Sequence, residues 1–290
     1  MILKNIDGLE LLSSLESNSI DLVITDPPYI TSKETGMDKW KDHVDKIDKS
    51  DKNTKTEEEW QSYSQKLDFK KLFPDAKNIE KEKKNAKNNF IKYGSIYGKK
   101  YAVRTDYGNW DSDFTMEDLD LFINHFYRIL KPGGTCIIFF DIWKITPLKN
   151  LLEKSKFKQV RYLEWIKTNP QPLNSKTNYL TNCREIALLG IKKSKPTFNS
   201  SYDNAIYRFP IQGGKNRFHP TQKSLPLFEE LIKKHSNEGD VVLDCFLGSG
   251  TTAFAAHNTK RKFIGCERDK VYFAKMKSNM KREKILDNDE

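Results

Sequence analysis

Six short apolar runs punctuate the chain: IDLVIT (Ile20–Thr25), TCIIFF (Thr135–Phe140), VRYLEWI (Val160–Ile166), EIALLGI (Glu185–Ile191), DVVLDC (Asp240–Cys245) and KFIGC (Lys262–Cys266). Their length and their β-branched and aromatic content predict buried strands. Between them, apolar positions recur with helical spacing over Thr115–Leu130, Trp143–Ser155, Ser224–Ser236 and Thr251–Asn258. The stretch KPGG (Lys131–Gly134) stops the first of these helices just before a strand, with glycine beyond the helix end. Strands that alternate with helices predict an α/β fold, a doubly wound and mostly parallel sheet.

Two stretches break the alternation. Residues 41–100 hold 16 lysines and 11 acids but few aliphatics. Such a segment offers little core and reads as a long charged insertion, partly disordered or loosely helical. It is either a solvated loop or a DNA-facing flap, the second being favoured by its net positive charge and by Tyr93, Tyr97 and Tyr101. Residues 192–218 are polar, basic and aromatic without a clear period, which suits a target-recognition loop region or an ordinary surface excursion.

Charge sharpens this picture only modestly. The formal net charge of +10 over 290 residues suits a polyanionic partner. The four cysteines, Cys136, Cys183, Cys245 and Cys266, form no C-x-x-C pair, so reduced buried thiols are expected and a metal site is not. No apolar run reaches the ~20 residues that span a bilayer, and the start lacks a signal-peptide pattern, so a cytoplasmic protein without a membrane partner is expected.

Two motifs carry chemistry. In VVLDCFLGSGTTAFAA (Val241–Ala256) a strand runs through Asp244 into a glycine turn and a helix. Glycines at 248 and 250 let the backbone turn sharply beside a ligand, and the free N–H groups of the helix start favour polar or anionic groups. The next strand ends in Glu267, an acid able to accept hydrogen bonds from ribose hydroxyls. Without a ligand the same pattern is merely a tight strand–helix turn; with Glu267 it favours a nucleoside-containing cofactor.

The second motif is Asp26-Pro27-Pro28-Tyr29, directly after a predicted strand. Neither proline can donate to a sheet ladder, so the chain must turn into a rigid corner. The exocyclic amine of adenine or cytosine is a poor nucleophile because its lone pair is delocalised into the ring. Two acceptors aimed at its two N–H bonds would draw the nitrogen out of conjugation. Asp26 offers a carboxylate, Pro27 a carbonyl on a locked backbone, and Tyr29 a face for a base to stack on.

TDPPY followed far downstream by DCFLGSGTT resembles the β group of amino-methylating DNA methyltransferases that use S-adenosylmethionine. YGNWDSDF (Tyr107–Phe114), ILKPGGTCIIF (Ile129–Phe139), EWIKTNPQP (Glu164–Pro172) and HPTQKSLPLFEELI (His219–Ile232) resemble the group's other motifs. The resemblance covers residues 1–35 and 105–280; the charged insertion departs from it. It implies a single catalytic domain over residues 1–290, built on a seven-stranded, circularly permuted methyltransferase sheet. It makes Asp26, Pro27, Pro28 and Tyr29 the catalytic corner, with Asp26 also at the cofactor's edge. Asp244, Phe246, Gly248, Ser249, Gly250 and Thr251 would wrap the methionine part of the cofactor and Glu267 would hold its ribose. Asp7 and Gly8 would lie near its adenine ring. His219, Thr221, Gln222, Lys223 and Ser224 would sit by its carboxylate, although Lys223 also reads as a solvated lysine and His219 as a cap. Asn169-Pro170 would line the target-base pocket or form a plain turn.

The implied reaction is methylation of N6 of a flipped adenine in double-stranded DNA, with cytosine N4 as the alternative and a restriction endonuclease as a partner. The enzyme would work as a monomer or homodimer. A protein-glutamine methyltransferase is disfavoured, because such enzymes carry N-P-P-Y after the glycine loop. A nucleotide-dependent oxidoreductase leaves D-P-P-Y unexplained, and a non-catalytic DNA-binding module leaves both motifs unexplained.

Overall fold

The computed structural model describes residues 1–30, 55–65, 67–73, 76, 78–93, 96, 114–170, 183–213 and 222–286. The chain falls into two compact units, Met1–Ile30 with Tyr107–Glu290, and Thr31–Asp106.

The larger unit is built on one sheet. Its strands are β1 (Ile2–Lys4), β2 (Ile20–Thr25), β3 (Leu130–Phe140), β4 (Lys158–Lys167), β5 (Arg184–Ile191), β6 (Ile206–Phe209), β7 (Val241–Asp244) and β8 (Lys262–Cys266), in the order β1-β8-β7-β2-β3-β5-β4-β6. Five pairings are parallel; β5 alone runs antiparallel to its neighbours β3 and β4. The count of seven strands expected from the resemblance is thus corrected to eight among the described residues. The two strands without a sequence signal, β1 and β6, are edge strands of three and four residues, too short to show a period. KPGG lies inside β3 rather than ahead of it: the strand starts at Leu130, directly after the helix that ends at Ile129.

Both faces of the sheet are covered, as a doubly wound fold requires. Leu22 and Ile24 of β2 point to one face, with Ile137 and Phe139 of β3 and with Leu227, Phe228, Leu231 and Ile232 of a helix spanning Leu225–His235. Val23, Cys136 and Ile138 point to the other, against Leu11 and Leu12 of α1 (Gly8–Ser14) and against Leu119, Phe122, Ile123 and Phe126 of the Met116–Ile129 helix. The alternation along β2 and β3 is the period-two pattern of a strand buried on both sides. Cys136, Cys245 and Cys266 are buried and free, and burial pushes the Cys136 thiol well above the ordinary thiol range.

The smaller unit contains helices Glu57–Ser64, Phe69–Leu72 and Ile79–Tyr93. Its few aliphatics predict little core. Aromatic rings supply one instead: Trp60, Phe69, Ala86, Phe90 and Ile96 are buried together, and Tyr63 stacks on Phe90 with ring centroids 4.5 Å apart. Thr56 opens the first helix with a reciprocal capping box to Glu59. Tyr97 and Tyr101 lie outside the described residues. Among those described, no helix is long and apolar enough to cross a membrane.

Candidate active site

Parallel strands β2, β3, β7 and β8 end at one edge of the sheet, and chain connections diverge to opposite sides of β2 and β7. Ligands of open α/β sheets bind at this kind of edge. Asp26 follows β2, the glycine turn follows β7 and Glu267 follows β8. Antiparallel pairing brings Glu185, at the start of β5, and Lys167, at the end of β4, to the same edge, since Ile186 lies opposite Phe140 and Trp165 opposite Glu185.

At the corner Pro27 and Pro28 are buried, and the Tyr29 ring meets Phe140 edge-on at 5.9 Å. Asp26 Oδ2 pairs with Lys223 Nζ at 2.8 Å. Its other oxygen, Oδ1, is buried and accepts no hydrogen bond among the described residues. Burial raises the Asp26 carboxyl to about 6; Lys223 pulls it down, and Glu185 and Asp244 push it up. Burial and the Asp26 charge likewise hold the Tyr29 phenol well above its ordinary value.

Lys223 is 7% exposed. Besides Asp26 it contacts Glu185 Oε2 at 2.7 Å and donates to the Tyr29 hydroxyl at 3.4 Å. It lies over the Tyr29 ring, 5.3 Å from its centroid, and 5.7 Å from that of Phe139. Glu185 Oε1 is held by Lys167 at 2.7 Å. Burial would raise the Glu185 carboxyl, yet Lys223 and Lys167 outweigh it and hold the group at about 2. Glu185 and Lys167 were invisible as site residues, because their pairing is fixed by antiparallel register rather than by any local motif.

The glycine turn is organised differently. Asp244 is buried and accepts from the hydroxyls of Thr25 (2.5 Å) and Thr252 (2.5 Å) and from the Phe246 amide (3.0 Å). Gly248 and Gly250 both have positive φ, and a Cβ on Gly250 would lie 2.6 Å from Met276 Cγ, so conformation and space each demand glycine there. The helix Thr251–Asn258 begins with no side-chain cap. Ser249 and Thr251 hydroxyls lie 3.0 Å apart. Glu267 takes the Gly248 amide on one oxygen and the Asp269 amide on the other, both at 2.8 Å, and burial raises its carboxyl. Phe246 packs on Phe122 and Phe114 with centroids 4.6 and 5.5 Å away.

Asp7 caps α1 by accepting from the Leu9 amide, and Gly8 lies against Phe122 and Cys245, close to the end of β7. Ser224 precedes the Leu225–His235 helix with its hydroxyl buried and unpartnered among the described residues, and Gln222 lies in the same lead-in to that helix. Asn169 pairs both amide atoms with the main chain of Ile211, a clamp between two loops. His219 and Thr221 lie outside the described residues, as do residues 107–113, 171–182 and 214–218 of the stretches singled out above. Beyond β3, Asp141 caps a 3-10 turn on which Trp143 stands 88% exposed.

An acceptor corner and a glycine turn on adjacent strand ends are the parts of an amino-group methyltransferase. Residues 20–278 match the family model described as DNA methylase of the N6 and N4 types, and the chain belongs to that family of DNA methyltransferases. The Type II methyltransferase M2.DpnII of Streptococcus pneumoniae is 32% identical over 192 residues, covering 59% of this chain and 70% of its own length. M2.LlaDCHI of Lactococcus lactis subsp. cremoris is 30% identical over 201 residues, covering 62% and 74%. These relatives place the chain among methyltransferases of the restriction-modification type. The fold also matches M1.HpyAVI, solved as a SAM complex (24% identity, 96% and 98% coverage, TM-score 0.57), and the cytosine-N4-specific PvuII DNA methyltransferase (17%, 99% and 86%, 0.61).

Proposed function

We propose that the protein transfers a methyl group from S-adenosylmethionine to N6 of adenine in double-stranded DNA, the target base being flipped out of the helix. The observation that carries this reading is the buried Oδ1 of Asp26, unpartnered among the described residues and directly ahead of a proline carbonyl. One oxygen of the acid is tied to a cation, and the other is left as an acceptor for an amine N–H. Asp26 Oδ1 takes one N–H of the target amine, the Pro27 carbonyl takes the other, and Tyr29 stacks on the base. The nitrogen lone pair would then be directed out of the ring plane at the methyl carbon: the N–C bond would form as the carbon–sulfonium bond breaks, its electron pair staying on sulfur as a neutral thioether, and the amine would give up one proton to solvent.

The residues at the turn fit the cofactor. Glu267 keeps free lone pairs for a ribose diol beyond the two amides it accepts, and the uncapped helix start and the Ser249 and Thr251 hydroxyls offer donors for the polar end of an amino acid. When bound, S-adenosylmethionine supplies an electrophilic methyl on a sulfonium. Adenine is favoured by the aspartate at the first position of the D-P-P-Y motif, which in the resembling group goes with N6. Residues 192–218 and the smaller unit are the candidate surfaces for reading and gripping DNA.

The test is nucleoside mass spectrometry of duplex DNA incubated with the protein and S-adenosylmethionine. N6-methyladenine is expected. N4-methylcytosine would overturn adenine as the target and move it to cytosine, and the absence of both products would overturn the methyltransferase proposal itself.

A further inference from the structure

Lys223 and Glu185 do more than balance charge. A lysine ammonium has three N–H donors. Those of Lys223 are directed to Asp26 Oδ2, Glu185 Oε2 and the Tyr29 hydroxyl, so its position is fixed from three sides. Glu185 is fixed in turn by Lys167 through its other oxygen. The chain Lys167–Glu185–Lys223–Asp26 alternates in sign, sums to zero, and ends on a carboxylate with one oxygen unmet among the described residues. An ion pair serving stability alone would be expected to satisfy both oxygens of a buried acid, because an unmet one costs free energy. Here the cation holds one oxygen and leaves its twin open.

We propose that Lys223 is a positioning residue for Asp26, held by Glu185 and Lys167, which fixes the carboxylate with Oδ1 presented to the target amine and keeps it ionised. This rests on the methyltransferase reading above. Among the described residues, the groups that face Asp26 are Lys223, Glu185, Asp244 and the Tyr29 hydroxyl. Lys223 favours the charged form, whereas burial and the two acids oppose it. The two partners of this relay therefore act on Asp26 with opposite sign, which a plain packing role would not produce.

The experiment measures the acid limb of single-turnover methyl transfer against pH for wild type, Lys223→Met, Lys223→Arg and Glu185→Gln. In the ligand-free proteins the Asp26 carboxyl is titrated directly by carbon-13 NMR, with Asp26→Asn identifying its resonance. Lys223→Met is expected to move both midpoints upward by about one pH unit or more, since an opposite charge within hydrogen-bond reach is removed. Lys223→Arg should restore most of that shift. Glu185→Gln should move both midpoints downward, by about half a unit, because a like charge is lost while Lys223 stays. If Lys223→Met does not fold, the downward shift in Glu185→Gln and the double variant Lys223→Met/Glu185→Gln still decide the matter. Unmoved midpoints, or same-direction shifts in the two single variants, overturn the proposal. So does a Lys223→Met protein with weakened S-adenosylmethionine affinity and an unmoved acid limb, which would assign the lysine to the cofactor. Should wild type methylate no DNA, the function falls, and the NMR titration still tests the relay by itself.

Discussion

Two aspartates, Asp244 buried and Asp26 half-buried, stand at the ends of adjacent parallel strands, and they are treated in opposite ways. Among the described residues Asp244 is met by neutral donors, two hydroxyls and an amide, shared over both oxygens. Among the described residues, Asp26 is met by a cation on one oxygen and by nothing on the other. The Thr25 side chain, one residue before Asp26, is spent on Asp244. A satisfied buried acid organises the backbone around it: here it ties β2 to β7 and pins the start of the glycine turn. A half-satisfied acid raises the energy of the empty protein and is tolerated where a ligand supplies the missing donor. The contrast separates a carboxylate met by its own fold from one left open to a ligand, without reference to any motif.

The sharpest way to break this comparison is Asp26→Asn. The variant keeps the shape but replaces the charged acceptor, and its amide can turn a donor toward the target amine. Single-turnover methyl transfer should fall by about 10³-fold or more, with affinity for S-adenosylmethionine within about twofold of wild type. Turnover close to wild type would show that the open oxygen is not the acceptor.

On the opposite side of the comparison, Glu267→Ala should leave the corner intact and weaken the cofactor. Loss of a two-point contact between a carboxylate and a ribose diol costs roughly 2–3 kcal/mol, or about 30- to 100-fold in the dissociation constant, measurable by calorimetry. An unchanged constant would reduce Glu267 to a brace for the Gly248 and Asp269 amides. Asp244→Asn should act on folding instead. One hydroxyl or amide loses its acceptor, so unfolding free energy in denaturant should drop by about 1–3 kcal/mol. A variant of unchanged stability would mean that Asp244, too, is held for chemistry.

What could be read from the chain follows the same division. D-P-P-Y and the glycine turn were legible because proline and glycine restrict the backbone locally, and the alternating apolar runs were legible because β2, β3 and β7 are buried on both faces. The partners of Asp26 were not. Lys223 and Tyr29 are 194 residues apart, and no spacing rule says which of fifty basic residues will meet which acid. Lys223 stands out in sequence by its motif; its contact with Asp26 and the places of Glu185 and Lys167 beside it appear only once antiparallel β5 is paired between β3 and β4. The smaller unit has few aliphatics to show a core in sequence, yet Trp60, Phe69 and Phe90 bury their rings together beneath its helices.

The smallest expected effect concerns stability against pH, and it isolates the strain at Asp26. Its carboxyl is raised from 3.8 to about 6 in the folded protein. A raised acid binds its proton more tightly when folded, so its stabilising contribution is complete below the ordinary value and is lost as pH rises through 6. Between pH 5 and pH 7 this loss amounts to about 1 kcal/mol. Wild type alone would not reveal it, because buried His235, lowered to about 4 by desolvation, loses stability in the opposite direction as pH falls. Glu185, held at about 2, changes mostly below this window. Both terms are shared by wild type and Asp26→Asn, so they cancel in the difference. Unfolding free energy of Asp26→Asn minus that of wild type should therefore rise by about 1 kcal/mol from pH 5 to pH 7. A flat difference would mean that the open oxygen of Asp26 costs the folded protein nothing, and the contrast with Asp244 would lose its energetic basis.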